Sequence, residues 1–314
     1  MRLPLLACVL LVAAPAGATV ELRWLGVAGF TLRAGDTVIA HDPYLSRPGR
    51  LATLFRPVQP DAVVIERMLG PASPAPELAR VSLLLVGHSH YDHLADVPEI
   101  ARRTGAWVVG SATTANIAQG YGLAAERTRV AGPGAVLEEG AFEVRVFESR
   151  HAKVLLGRVP FEGKLTEPPA APLRAFSFVL GDARGYLVTE RATGLRIVFL
   201  SSAGRHVPAL EEIGRLAAPV DVLLPASQGG DADYARDLVR TLRPRLVVPH
   251  HFDDFSVPLD DPSAGDPADP EALTAFEQAL REAASAEGVT LELRRPKLFE
   301  RIELDAAVRA EALR

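Results

Sequence analysis

Residues 81–87, VSLLLVG, form an unbroken apolar run closed by glycine, and the next six residues, HSHYDH, hold three imidazoles and a carboxylate. A short, wholly apolar run followed by glycine reads as a strand buried on both faces. His88, His90, Asp92 and His93 are therefore delivered together to the end of a buried strand, which argues against a polar loop that is merely rich in histidine. Alternate positions on extended backbone let His88 and His90 converge on one ion, and the bend that follows turns Asp92 and His93 toward a second. Imidazole and carboxylate donors suit zinc, and manganese or iron as well.

The rest of the chain repeats the theme of strands that end in chemistry. VELRWLGVAGFTLRAGDTVIAHDPYL alternates apolar and polar residues around Gly29, Gly35 and Asp36, which predicts strands joined by tight turns. Residues 46–80 read as a connection with one short helix, 95–103 as a helix, AWVVGS as a strand and TTANIAQGYG as a helix closing at glycine. AFEVRVFE at 141–148 alternates cleanly and delivers His151 just past its end. Pro160, Pro168, Pro169 and Pro172 make 157–172 a long loop and a candidate lid. Strands are expected again at AFSFVLG, GYLVTE, RIVFLSS, DVLLPA and RLVVPHH, with a late helix capped by Asp269 and opened by Pro270, then strand-like alternation to LFERIEL. No solenoid period and no linker divides the chain.

The opening residues MRLPLLACVLLVAAPAGA place Arg2 before an apolar run and end in Ala16, Gly17 and Ala18, the pattern of a secretory signal cleaved after Ala18. The run is short for a membrane anchor, so no stable membrane insertion is expected after cleavage. The expected domains are a signal at 1–18 and one domain at 19–314, exported to a periplasmic or secreted location. Cys8 is the only cysteine, so the mature domain has neither a disulfide nor a thiol nucleophile. With 34 Lys and Arg against 39 Asp and Glu, the chain gives no electrostatic reason to bind nucleic acid.

With these residues in place, the chain resembles the metallo-β-lactamase superfamily, whose HxHxDH motif is matched at His88, His90, Asp92 and His93. The resemblance implies an α/β fold, a four-layer αββα sandwich in a single domain, with metals at the strand ends along one edge. It makes Asp42 in HDPYL a group that orients the centre, and it makes His151 a ligand of the first metal with His88 and His90. In PHHF it favours His251 over His250, so that His251 joins Asp92 and His93 at the second metal. Family members usually carry an aspartate that bridges the two metals after the strand matching RIVFLSSAG, and Ser202 occupies that position here. A neutral hydroxyl replaces an anion poorly, so the second ion should bind more weakly, unless Asp253 or Asp254 supplies the charge. Within the superfamily, WLGVAGF, DPYL and PHHF look most like the branch containing ascorbate-6-phosphate lactonase and N-acyl-phosphatidylethanolamine phospholipase D.

The implied function is an exported hydrolase in which a metal-activated water attacks an ester, lactone or phosphodiester in a small-molecule or lipid-like substrate. Asp92 is the expected catalytic carboxylate, zinc the expected cofactor as one or two ions, and Tyr44 is placed to help hold a substrate oxygen. The alternative is a metal-binding protein that lost catalysis with the bridging aspartate. β-Lactam hydrolysis fits export but not the lactonase-like segments.

Overall fold

The computed structural model describes residues 19–304, and the expected signal segment lies outside them. Two seven-stranded sheets face each other. The first is built from β1 (Val20–Gly26), β2 (Gly29–Ala34), β3 (Thr37–His41), β4 (Leu83–Leu85), β5 (Trp107–Gly110) and β6 (Thr128–Val130). The second is built from β7 (Val136–Glu139), β8 (Phe142–Glu148), β9 (Arg184–Glu190), β10 (Arg196–Leu200), β11 (Val222–Pro225), β12 (Leu246–Val247) and β13 (Glu292–Leu293). The chain then returns through β14 (Arg301–Leu304), which pairs antiparallel with β1 and completes the first sheet.

The alternation of side chains along each strand sorts the apolar residues into layers. Leu22, Trp24, Phe30, Leu32, Leu83 and Leu85 of the first sheet face Val144, Tyr186, Ile197, Phe199 and Leu224 of the second. Their neighbours turn outward. Val38, Ala40 and Leu84 pack under α2 (Ala62–Leu69), α3 (Tyr91–Leu94), α4 (Val97–Thr104) and α5 (Ala112–Gly120), whereas α1 (Arg50–Phe55) precedes them and buries no side chain. Leu187, Val198 and Leu223 pack under α6 (Pro208–Ala217), α7 (Ala232–Leu242) and α8 (Pro270–Glu287). This is the expected αββα layering.

Several elements differ from the sequence expectation. AFSFVLG is not a strand: Ala175–Ser177 is a single 3-10 turn, and Ala175 and Phe178 are buried three residues apart instead of on alternate positions. RLVVPHH is shortened to β12, because Pro249 has no N–H to continue the ladder, and only an isolated bridge between Ala226 and His250 follows. Residues 46–80 hold two α-helices, α1 and α2, and a 3-10 helix at Pro76–Arg80, instead of one short helix. Helices α6 and α7 are additional to the expected set, although Tyr234, Ala235, Leu238, Val239 and Leu242 bury one helical stripe. Pro270 and the Asp269 side chain open α8 as expected, with the carboxylate accepting from Ala272 N.

The fold brings the chemistry to one edge. Strands β3 and β4 run parallel, as do β10, β11 and β12, and β8 shares the β10 direction through antiparallel β9. The residues just past β3, β4, β8, β10 and β12 therefore meet at the same end of the sandwich. Trp24 helps to hold the last of them: it is fully buried, its Nε1 donates to Val27 O at 3.1 Å, and its ring lies 4.8 Å from Phe252. Val27 O in turn accepts from His251 N at 2.8 Å. Trp24→Ala should cost ~3–5 kcal/mol of stability, as a large buried truncation does. Denaturant unfolding tests this, and a loss under ~1 kcal/mol would contradict the anchoring role.

Candidate metal centre

The bend inside HSHYDH is α3, a single helical turn whose entry residue His90 is still extended. That change from extended to helical backbone divides the four donors. His88 and His90 gather with His151 in one group, and Asp92 and His93 gather with His251 in another, the ligand atoms of each group all within 4.8 Å of one another. The two groups share a wall, since the His88 and His93 ring centroids are 3.9 Å apart. These are the six residues, and the same partition, that the family resemblance implies.

Outer hydrogen bonds fix which imidazole nitrogen is free. Carbonyl and carboxylate oxygens only accept, so a ring nitrogen against one must carry the proton. His93 Nδ1 donates to Asp42 Oδ2 at 2.8 Å, His151 Nδ1 to Ala152 O at 2.7 Å and His90 Nε2 to Pro160 O at 3.1 Å. The lone pairs of His93 Nε2, His151 Nε2 and His90 Nδ1 are left for the interior of the site. His90 Nδ1 lies 3.0 Å from His88 Nε2, and the Nδ1 atoms of His88 and His251 are buried with no hydrogen-bond partner among the described residues. Pro160, in the proline-rich loop expected to act as a lid, thus reaches the centre itself.

Burial and mutual crowding keep His88, His90 and His151 neutral. Burial above all, with neighbouring histidines adding to it, holds His88 well below the ordinary imidazole range and His90 at about 3. Burial likewise lowers His151 to about 4. Asp92 moves the other way from what burial dictates: desolvation raises it, but His93 and a hydrogen bond from His251 outweigh that and hold it below the usual carboxylate range. Burial lowers His93, and the flanking Asp92 and Asp42 carboxylates overcome it, leaving His93 raised. Three neutral imidazoles in one group, and an ionised carboxylate beside two further imidazoles in the other, are donor sets that a divalent transition metal takes, so the residues fit such an ion.

Asp42, the expected orienting group, is fully buried and accepts from His93 and from two further donors. Its Oδ1 accepts from Gly87 N at 2.8 Å, and its Oδ2 accepts from the Ser201 hydroxyl at 2.6 Å as well as from His93. Ser201 was not singled out by the sequence, which pointed to its neighbour. The Ser202 hydroxyl accepts from Ala152 N at 3.1 Å, which turns it toward the segment carrying His151.

Three further expectations need correction. Asp253 does not supply charge to the second group: its Oδ2 is 2.7 Å from the buried Arg47 Nη2 and its Oδ1 accepts from Val27 N. Asp254 pairs with Arg50 and Ser256. Tyr44 is fully buried, its hydroxyl has no hydrogen-bond partner among the described residues, and it does not line the cleft beside His251, whereas Tyr91 does. His250 turns into the core, its Nε2 donating to Leu224 O at 3.1 Å.

The beta-lactamase superfamily domain matches residues 21–251, and the chain belongs to that superfamily. A UPF0173 metal-dependent hydrolase of Cupriavidus taiwanensis is 28% identical over 246 residues, covering 76% of each chain. Among solved structures, Igni18, a metallo hydrolase from Ignicoccus hospitalis, superposes with a TM-score of 0.59 at 18% identity over 91% of this chain and 99% of that one. CmlA, a diiron beta-hydroxylase from Streptomyces venezuelae, gives 0.56 at 16% identity over 93% of this chain and 54% of its own.

The neutral histidines carry a pH signature. Unfolding returns His90 and His151 from about 3 and about 4 to an ordinary value of 6.5, so below that value the unfolded chain binds protons that the folded chain refuses. Metal-free protein should keep its full stability above pH 6.5 and lose it as pH falls toward 4, by about 1.4 kcal/mol per pH unit for each such proton. Thermal unfolding from pH 7 to pH 5 should show the decline, and His90→Asn should make it shallower by the share of one proton. A melting temperature independent of pH in this window would contradict the assignment.

Proposed function

We propose that this chain is a metal-dependent hydrolase of ester, lactone or phosphodiester bonds, with His88, His90 and His151 holding one ion and Asp92, His93 and His251 holding another. The observation that carries this reading is the pair of largely buried three-donor groups, the first built of imidazoles held neutral, at the edge of an open cleft. Divalent ions there supply a Lewis acid and a water acidic enough to act as nucleophile near neutral pH. Zinc suits the donors best, and iron or manganese follows.

The chain's own residues supply the rest. Asp92, kept ionised and 3.2 Å from His251 Nε2, is the acceptor for a proton released from the attacking water. A cleft of about 770 Å3 adjoins His251, with Tyr91, Phe255, Leu54 and Val154 among its walls. Burial raises the Tyr91 phenol, which keeps its proton and can donate to a substrate oxygen. The mostly apolar walls favour a small-molecule or lipid-like substrate. WLGVAGF, DPYL and PHHF support a place near the ascorbate-6-phosphate lactonase and N-acyl-phosphatidylethanolamine phospholipase D branch, and the apolar opening segment supports export.

His88→Ala and His90→Ala should each empty the first ion site and abolish turnover; full activity in metal-free protein would end this reading. Ser202 favours a second reading, a metal-binding protein without catalysis. Bound metal with no turnover across an esterase, lactonase and phosphodiesterase panel would select it. A carboxylate in Ser202→Asp should tighten the more weakly held ion in a metal titration, whereas equal occupancy in both proteins would overturn the reading of that position as a missing bridge.

A further inference from the structure

The turn after β10 places two hydroxyls side by side, and they serve different halves of the centre. Ser201 is buried, and its hydroxyl donates to Asp42 Oδ2 at 2.6 Å, the same oxygen that accepts from His93 Nδ1 at 2.8 Å. Ser202 faces the other way. Its oxygen accepts from Ala152 N at 3.1 Å, and the carbonyl of Ala152 accepts from His151 Nδ1 at 2.7 Å. Each serine is thus one residue removed from one ligand, and the ligands belong to different groups: His93 with Asp92 and His251, His151 with His88 and His90.

We propose that Ser201 and Ser202 are positioning residues that act separately on the two ion sites, Ser201 on His93 through Asp42 and Ser202 on His151 through Ala152. The inference rests on the two-ion reading above and adds a division of labour to it. Where the superfamily usually has one carboxylate between two ions, this chain has two neutral hydroxyls, each orienting one ligand instead of binding metal. Period-two alternation accounts for the division, because neighbouring residues leaving a strand point to opposite sides.

The backbone around the pair is shaped to admit it. A Cβ on Gly87 would overlap the Ser201 hydroxyl and crowd Asp42 Oδ2, so a bare residue at 87 leaves the space that Ser201 fills. Gly204 is similarly closed in by the backbone of Arg150, which holds the turn after β10 against the segment that carries His151. His41 Nε2 lies 3.1 Å from Ser201 Oγ, and its ring stacks on Phe199 at 4.8 Å, so the Ser201 side is enclosed by the core. An oriented ligand loses affinity when its outer hydrogen-bonding partner is removed, typically by 10–100-fold.

The test is a cobalt titration of wild type, Ser201→Ala, Ser202→Ala and Ser202→Thr, read by calorimetry and by the visible absorption bands that distinguish a three-histidine site from a site with a carboxylate. Ser201→Ala should weaken only the ion held by Asp92, His93 and His251, by roughly 10–100-fold, and Ser202→Ala only the ion held by His88, His90 and His151. Ser202→Thr keeps the accepting oxygen and should restore wild-type binding. Nitrogen-15 spectra of the metal-free proteins give an independent readout: Ser201→Ala should shift His93 and not His151, and Ser202→Ala the reverse. Equal weakening of both sites, or imidazole shifts that do not separate this way, would overturn the proposal. Should wild type take up no cobalt, the two-ion reading fails, and the imidazole shifts alone decide whether the serines position His93 and His151.

Discussion

A carboxylate without any solvent contact is the constraint around which the active edge is organised. Asp42 sits past the end of β3 with its backbone at φ 40, a left-handed conformation that a non-glycine residue adopts at a cost. An ionised group removed from water is tolerated only when its oxygens are fully engaged. Asp42 accepts from Gly87 N, His93 Nδ1 and Ser201 Oγ, donors that come from the loop after β4, from α3 and from the turn after β10. One side chain thereby ties both sheets together and fixes the tautomer of a candidate ligand.

A second buried pair does comparable work for the last ligand. Arg47 and Asp253 are both almost completely enclosed, and Asp253 also accepts from Val27 N in the turn whose carbonyl receives His251 N. Gly26 must lack a side chain because the Arg47 guanidinium fills that space. The early WLGVAGF segment is therefore a brace for His251 as well as a strand and turn. Removing either partner of such a pair leaves a buried charge uncompensated, which is far costlier than losing a surface ion pair.

What could be read from the sequence follows from how local each signal is. HSHYDH carried its message because a strand end and a helical turn lie within six residues, and the alternating runs around β1 to β3 and in β8 identified themselves. His151, His251 and Asp42 needed the family pattern, since a lone histidine or an aspartate before proline is usually structural. Ser201 was passed over for Ser202 because only the register of β10 decides which hydroxyl faces Asp42. Asp253 was misjudged for a related reason: its partner Arg47 lies 206 residues away, and no local pattern announces a pairing at that distance.

The central claim is that the folded chain presents two preformed, largely buried three-donor groups of imidazole and carboxylate ligands. Anomalous diffraction from crystals grown with zinc, recorded above and below the zinc edge, tests it most directly. The account predicts one peak within bonding distance of His88, His90 and His151 and a second within bonding distance of Asp92, His93 and His251. Zinc located elsewhere on the molecule, with both groups left bare, would contradict it.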